Sequence, residues 1–200
     1  MAGDPWHHRG VAEPLSLTDW VVLVLVAEEP RHGFAVAREL RPEAPVGEVW
    51  TVARPLVYRA LDHLRGAGLI VPVRTEAGAQ GPHRTVYRVT RAGAGRAARW
   101  LDRTVEHPRE VRTELLAKMV LRQRRGRPVA PLARRQLDRF APAATALAHR
   151  ARSASGPERI AARWRVESLD AIRRTLEAVI ADEARAARRD AHPPARQRRG

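Results

Sequence analysis

The sequence predicts a mainly α-helical chain with one small β-hairpin, an α+β arrangement whose N-terminal half is mixed and whose C-terminal half is all helix. Three observations lead there. Apolar residues recur at three- and four-residue spacing along most of the chain, the mark of helices with one buried face. Residues 69–75 and 84–90 break that rhythm, the second alternating Thr85, Tyr87 and Val89 with Val86 and Arg88, and a polar Gly/Pro stretch separates them. Beyond His107-Pro108 only helical spacing is found. The 200 residues, 44% of them hydrophobic, suit one medium domain or two small ones.

Ser16 or Thr18 is placed to cap a first helix reaching about Ala27, with Leu17, Val21, Val24 and Leu25 inward. This helix is apolar on nearly every side, which expects burial at the domain centre or at a subunit interface. A short second helix is expected over Gly33 to Leu40, stopped by Pro42 and Pro45. The third, from about Arg54 to Ala67, places Leu56, Val57, Ala60, Leu61 and Leu64 on one face. Thr51 is a chemically suitable cap for it, Pro55 fits its first turn, and Gly68 suits a left-handed stop. The two strands follow, joined by a turn-rich loop over residues 76–83, and Thr90 caps a fourth helix to about Thr104. After His107-Pro108 come the stripe Val111, Leu115, Met119, a helix from Leu132 to about Ala151 with a kink expected at Pro142, and a long helix from Pro157 to about Ala184. The expected organisation is a disordered tail at 1–14, a mixed domain at 15–106, an all-helical domain at 107–184 and a basic disordered tail at 185–200.

Composition narrows the function. Without cysteine the chain has no disulfide framework, thiolate zinc site or thiol nucleophile. Its longest apolar run, Trp20 to Ala27, is too short to span a bilayer, so a cytoplasmic protein is expected. The formal charge is +15, which points to a polyanionic partner. Codon bias explains arginine in place of lysine but not the distribution. Residues 10–53 hold three arginines against seven acids, whereas residues 54–103 hold ten arginines against Asp62, Glu76 and Asp102. That segment reads as a basic face, and the rest of the excess lies in the C-terminal half, whose tail reads as a solvated charged end.

Helix, helix, helix, strand, basic loop, strand is the order of a winged helix-turn-helix, whose third helix lies in the major groove of DNA. With Ala60 and Leu64 inward, that helix presents Thr51, Arg54, Tyr58, Arg59 and Asp62 outward. Arg59 is suited to bidentate pairing with guanine, Tyr58 and Thr51 to phosphate, and Asp62 to cytosine or to orienting Arg59 or Arg65. The hairpin adds Arg74, His83 and Arg84 for phosphate or the minor groove.

These residues also carry a family resemblance. Residues 15–26 (LSLTDWVVLVLV), His32-Gly-Phe34, Trp50-Thr-Val52, residues 57–64 (VYRALDHL) with Gly68-Leu-Ile70, and residues 84–90 (RTVYRVT) with Gly93 resemble PadR-type transcriptional regulators over about residues 15–105. The resemblance implies a homodimeric repressor released from its operator by a small, frequently aromatic effector. It implies operator contacts around Tyr58 and a tight start of the second helix at His32-Gly33, which adds His32 to the DNA-binding set. Pro55 departs from the small or polar residue commoner there. The C-terminal helices then correspond to the family's dimerisation region, with Leu115, Met119, Trp164, Ile172, Leu176 and Val179 as the expected interface. Trp20 and Trp100 are the candidate stacking surfaces for a planar effector, with core packing as the default reading.

Gly93-Ala-Gly95-Arg-Ala-Ala98 matches a dinucleotide fingerprint, but the strand before it belongs to a hairpin and no second parallel strand follows. The eight histidines show no ligand spacing and no serine sits in a nucleophile elbow, so neither catalysis, metal nor cofactor is expected. The reading is a sequence-specific regulator of double-stranded DNA acting on a pseudo-palindrome. A nucleoid-type protein binding any DNA by charge, and a winged-helix protein-interaction module, are the alternatives.

Overall fold

In the computed structural model, which describes residues 14–78 and 81–191, Val21 to Val26 are all but inaccessible to solvent. That burial puts helix α1 (Leu17–Glu28) at the centre of the N-terminal unit, the first of the two positions its all-round apolarity allows. Ser16 caps it in a reciprocal box: its Oγ accepts from the Asp19 amide at 3.2 Å, and its own amide and hydroxyl donate to Asp19 Oδ2 at 2.8 Å each. Asp19 is buried, and His63 Nδ1 on a later helix donates to the same oxygen at 3.1 Å, tying the start of α1 to that helix.

Strand β1 (Arg31–His32), helix α2 (Gly33–Glu39), helix α3 (Pro45–Val49), helix α4 (Arg54–Gly66), strands β2 (Ile70–Gly78) and β3 (Gly81–Val89) and helix α5 (Arg91–Asp102) follow. Two of these go beyond the expectation. β1 pairs antiparallel with β3 (Arg31↔Tyr87, His32↔Val86), making a three-stranded sheet in the order β1-β3-β2. Arg31 is anchored there by Glu28, Glu29 and Glu39 at 3.0–3.1 Å. Pro45, read as a stop, instead starts α3, because a proline lacks the amide that a first helical turn leaves unused. The turn between α2 and α4 is held by Trp50 Nε1, which donates to Thr18 Oγ1 at 3.2 Å. Gly47 is required, since a Cβ there would lie 1.8 Å from the Arg41 carbonyl oxygen.

The hairpin is longer than expected. Glu76 pairs with Arg84 and Gly78 with Gly81, so most of the anticipated loop belongs to the ladder, whose backbone bonds need no side-chain pattern. Pro72 is tolerated because β2 is an edge strand, and the register shifts between Pro72 and Arg74. Gly68 adopts φ 66°, the left-handed stop after α4. Thr90 caps α5, its Oγ accepting from the Gly93 amide at 3.0 Å. A Cβ on Gly93 would lie 2.1 Å from the Leu69 carbonyl oxygen, so the glycine that mimics a nucleotide fingerprint serves this close pass.

The described residues divide into two compact units, one ending at Trp100 and the other beginning at Leu101. Composition changes at His107-Pro108, yet Val105, ahead of that point, lies in the second unit's core. This unit has a 3-10 turn (Pro108–Glu110), a π turn (Val111–Leu115) and helices α6 (Leu116–Arg124), α7 (Ala130–Ser153) and α8 (Gly156–Ala191). Helix α7 continues through Pro142, and α8 continues through residues 185–191, which the sequence reading placed in a disordered tail. The other tail residues, 1–13 and 192–200, lie outside the described residues.

The second core gathers Val105, Val111, Leu115, Met119, Leu132, Phe140 and Leu176, with Ile172 and Val179 packed against it. Its buried polar groups close loops. Gln136 pairs with both the amide and the carbonyl of Val105 at 2.8 and 3.1 Å. Lys118 Nζ donates to the Arg103 carbonyl at 2.9 Å and pairs with Glu114 at 2.6 Å. Arg122 donates to the carbonyls of Pro128 and Leu101 and pairs with Asp102. Glu183 of α8 caps α7, accepting from the Val129 and Ala130 amides at 2.7 and 2.6 Å. Among the described residues no helix is long and apolar enough to cross a membrane.

Candidate nucleic-acid interface

Helix α4 starts at Arg54, Ala53 before it offers no side-chain cap, and Pro55 occupies its first turn at no hydrogen-bonding cost. Thr51 does not cap it: the Thr51 hydroxyl turns back and donates to the Gly47 carbonyl at 2.7 Å. Val57, Ala60, Leu61 and Leu64 form the buried face as expected, but Leu56 does not join them. At 100° per residue it lies about 90° from the centre of that stripe, and it is 45% exposed. The outward surface of α4 therefore carries Leu56, Tyr58, Arg59, Asp62 and Arg65, with Arg54 at its start.

Tyr58 owes its position to a missing side chain. A Cβ built on Gly33, the first residue of α2, would lie 2.7 Å from Tyr58 Cε1, 3.0 Å from its Cζ and 3.1 Å from Leu61 Cδ1. Glycine lets the ring settle on the start of α2. His32, beside it, caps α2 through Nδ1, which accepts from the Ala35 amide at 3.0 Å. Its half-buried ring thus serves a structural purpose that the DNA-binding expectation did not include.

Phe34, next along α2, is the residue that sequence reasoning overlooked. The Arg54 guanidinium lies 5.4 Å from the centre of its ring, and the Arg84 guanidinium of β3 lies 5.1 Å from the same centre. Arg54 also lies 5.7 Å from the centre of the Tyr58 ring. The aromatic ring inside the His-Gly-Phe motif was the only available hint, because the three residues are far apart in sequence. Asp62 pairs with Arg65 at 3.1 Å, and Arg74 with Glu76 at 2.8 Å, which mutes both arginines. Among the described residues, no carboxylate pairs with Arg54, Arg59 or Arg84. The His83 side chain lies outside the described residues.

The first unit thus presents a helix-turn-helix with a flanking hairpin, and three arginines at the helix and wing that no carboxylate among the described residues neutralises. The family model for the transcriptional regulator PadR-like family matches residues 22–99, which include all of these groups. Residues 22–99 thus form a PadR-like domain of the transcriptional-regulator type. Solved structures similar to the chain include the following three. Bacillus subtilis PadR in complex with operator DNA is 19% identical, with 86% of this chain and 99% of that one covered and a TM-score of 0.44. The same protein in complex with p-coumaric acid is 17% identical over 86% and 98%, with a TM-score of 0.39. The smu.1604c protein of Streptococcus mutans UA159 is 16% identical over 82% and 98%, with a TM-score of 0.39. No curated protein matches the chain.

Other expected groups fall elsewhere. Trp20 and Trp100 stack on each other, with centroids 5.7 Å apart and planes 3° from parallel, and Arg96 lies 5.5 Å from the centre of the Trp20 ring. The two candidate effector surfaces thus occupy one another inside the first unit. Leu115, Met119 and Leu176, expected at a subunit interface, are instead buried in the chain's own second core, because α6, α7 and α8 cover them. Ile172 and Val179 pack at the edge of that core, while Trp164 is 74% exposed.

Proposed function

We propose that the protein is a sequence-specific DNA-binding repressor that acts in the cytoplasm as a homodimer on a pseudo-palindromic operator. Helix α4 reads the major groove and the β2–β3 hairpin holds the neighbouring backbone. The observation that carries this reading is the solvent-facing α4 surface, where Arg59 has no acidic partner among the described residues and Arg54 and Arg84 flank it from helix start and wing. Arg59 is suited to guanine O6 and N7, and Leu56 to a thymine methyl. Pairing of two copies supplies the second half-site. Helix α8 is 36 residues, and its first turns expose Ile160 and Trp164, one turn apart, where a second copy has apolar surface to cover. A planar effector acts at the Trp20–Trp100 stack by replacing Arg96 over the Trp20 face, and ligand-dependent tryptophan fluorescence tests that step.

The deciding experiment is capture of genomic fragments by the purified protein at about 150 mM salt, a level that suppresses purely electrostatic association. A discrete enriched sequence with two-fold symmetry supports the proposal, and uniform recovery refutes it. On the recovered site, Arg59→Ala lowers affinity by about 1–3 kcal/mol and relaxes base preference at one position.

A further inference from the structure

Arg54 and Arg84 come from different elements, α4 and β3, yet both guanidiniums lie within 5.4 Å of the centre of one aromatic ring. Two like charges drawn together repel, and no carboxylate among the described residues neutralises either. Phe34 offsets part of that repulsion, since the electron-rich face of a ring attracts each cation. Arg54 is moreover the first residue of α4, where the aligned peptide dipoles place about half a further positive charge. The result is a small, exposed, doubly cationic surface with an apolar floor.

Planar forked donors gathered at one ring suit a tetrahedral oxyanion, whose oxygens can accept from more than one guanidinium. We propose that Arg54 and Arg84 clamp a single phosphodiester of the DNA backbone and that Phe34 is the positioning residue that holds them together, which rests on the DNA-binding reading above. The clamp contributes affinity without reading sequence. It also ties the wing to the recognition helix through α2, so that the two enter the duplex in one register.

The test uses the full chain and a mixed-sequence duplex, followed by fluorescence anisotropy from about 50 to about 200 mM salt. Phe34→Leu keeps an apolar side chain and removes the ring, whereas Phe34→Tyr keeps the ring. Each exposed cation–ring contact is worth about two- to fivefold in an equilibrium, so Phe34→Leu weakens binding by about five- to thirtyfold and Phe34→Tyr stays within about twofold of the parent. A second measurement does not depend on any Phe34 variant. In the parent chain, Arg54→Ala and Arg84→Ala combine non-additively, because two groups sharing one phosphate are coupled. Additive losses, or Phe34→Leu with parental affinity and salt slope, overturn the clamp while leaving DNA binding intact. A parent chain that binds no duplex overturns the DNA-binding reading itself.

Discussion

Replacing Gly33 by alanine separates stability from DNA binding. The new methyl lies 2.7 Å from Tyr58 Cε1 and 3.1 Å from Leu61 Cδ1, too close for both to stay. Leu61 is buried and fixed, whereas Tyr58 is 41% exposed, so the tyrosine ring moves. Pushing it about 30° off its rotamer costs about 0.5–1.5 kcal/mol. Alanine returns up to about 1 kcal/mol of helix propensity, less at a first helical position such as Gly33 in α2. The two nearly cancel, and the unfolding free energy changes by about 1 kcal/mol or less. Binding does not cancel on the reading that Tyr58 holds a backbone phosphate: a hydrogen bond to a charged phosphate is worth about 1.5–3 kcal/mol, and its loss lowers affinity by about tenfold or more. Arg54, resting 5.7 Å from the centre of that ring, is disturbed as well. Urea denaturation and anisotropy titration against duplex DNA measure the two effects on one preparation. A variant that binds as the parent does, or that loses more than about 3 kcal/mol of stability, refutes the placement of Tyr58.

Other substitutions test the scaffold. Gly47→Ala sets a methyl 1.8 Å from the Arg41 backbone oxygen, which cannot swing aside, so denaturant unfolding should show a loss of roughly 3 kcal/mol or more. Glu183→Ala strips the cap from the Val129 and Ala130 amides and costs about 1–2 kcal/mol by the same measurement. Burial pushes the Asp102 carboxyl up, but hydrogen bonds from Arg122 and Arg127 outweigh it and hold it below the usual 3.8. Its stabilisation is complete above that value and fades as pH falls through the lowered one, so Asp102→Asn flattens the acid limb of stability against pH. Burial holds the Lys118 ammonium below the usual 10.5, against the opposing pull of Glu114. The unfolded chain then binds more protons just below pH 10.5, stability rises with pH across that window, and Lys118→Met removes the rise.

Much of the DNA-facing half is legible because its signals are local. The stripe Val57, Ala60, Leu61, Leu64 repeats at helical period, Ser16 and Thr90 are capping residues by chemistry, and Gly68 sits where a helix stops left-handed. Strand β1 has no such signal. Two residues between Pro30 and Gly33 carry no periodicity, and they become a strand only because β3 supplies partners at Val86 and Tyr87. Leu56 shows the limit within one helix, since a flanking leucine satisfies the pattern whether or not a neighbour covers it.

Hydrophobic spacing in the chain marks most of the side chains that leave water, and the charge shift between residues 10–53 and 54–103 points to the part proposed to meet an anion. Neither says which surface receives a buried residue. Leu115, Met119 and Leu176 carry the same apolar signature inside one subunit as between two, and it took the packing of α6, α7 and α8 to assign them to the chain's own core. The meeting of Phe34, Arg54 and Arg84 likewise exists only after folding, because α2, α4 and β3 converge through long-range contacts that no short window of residues records.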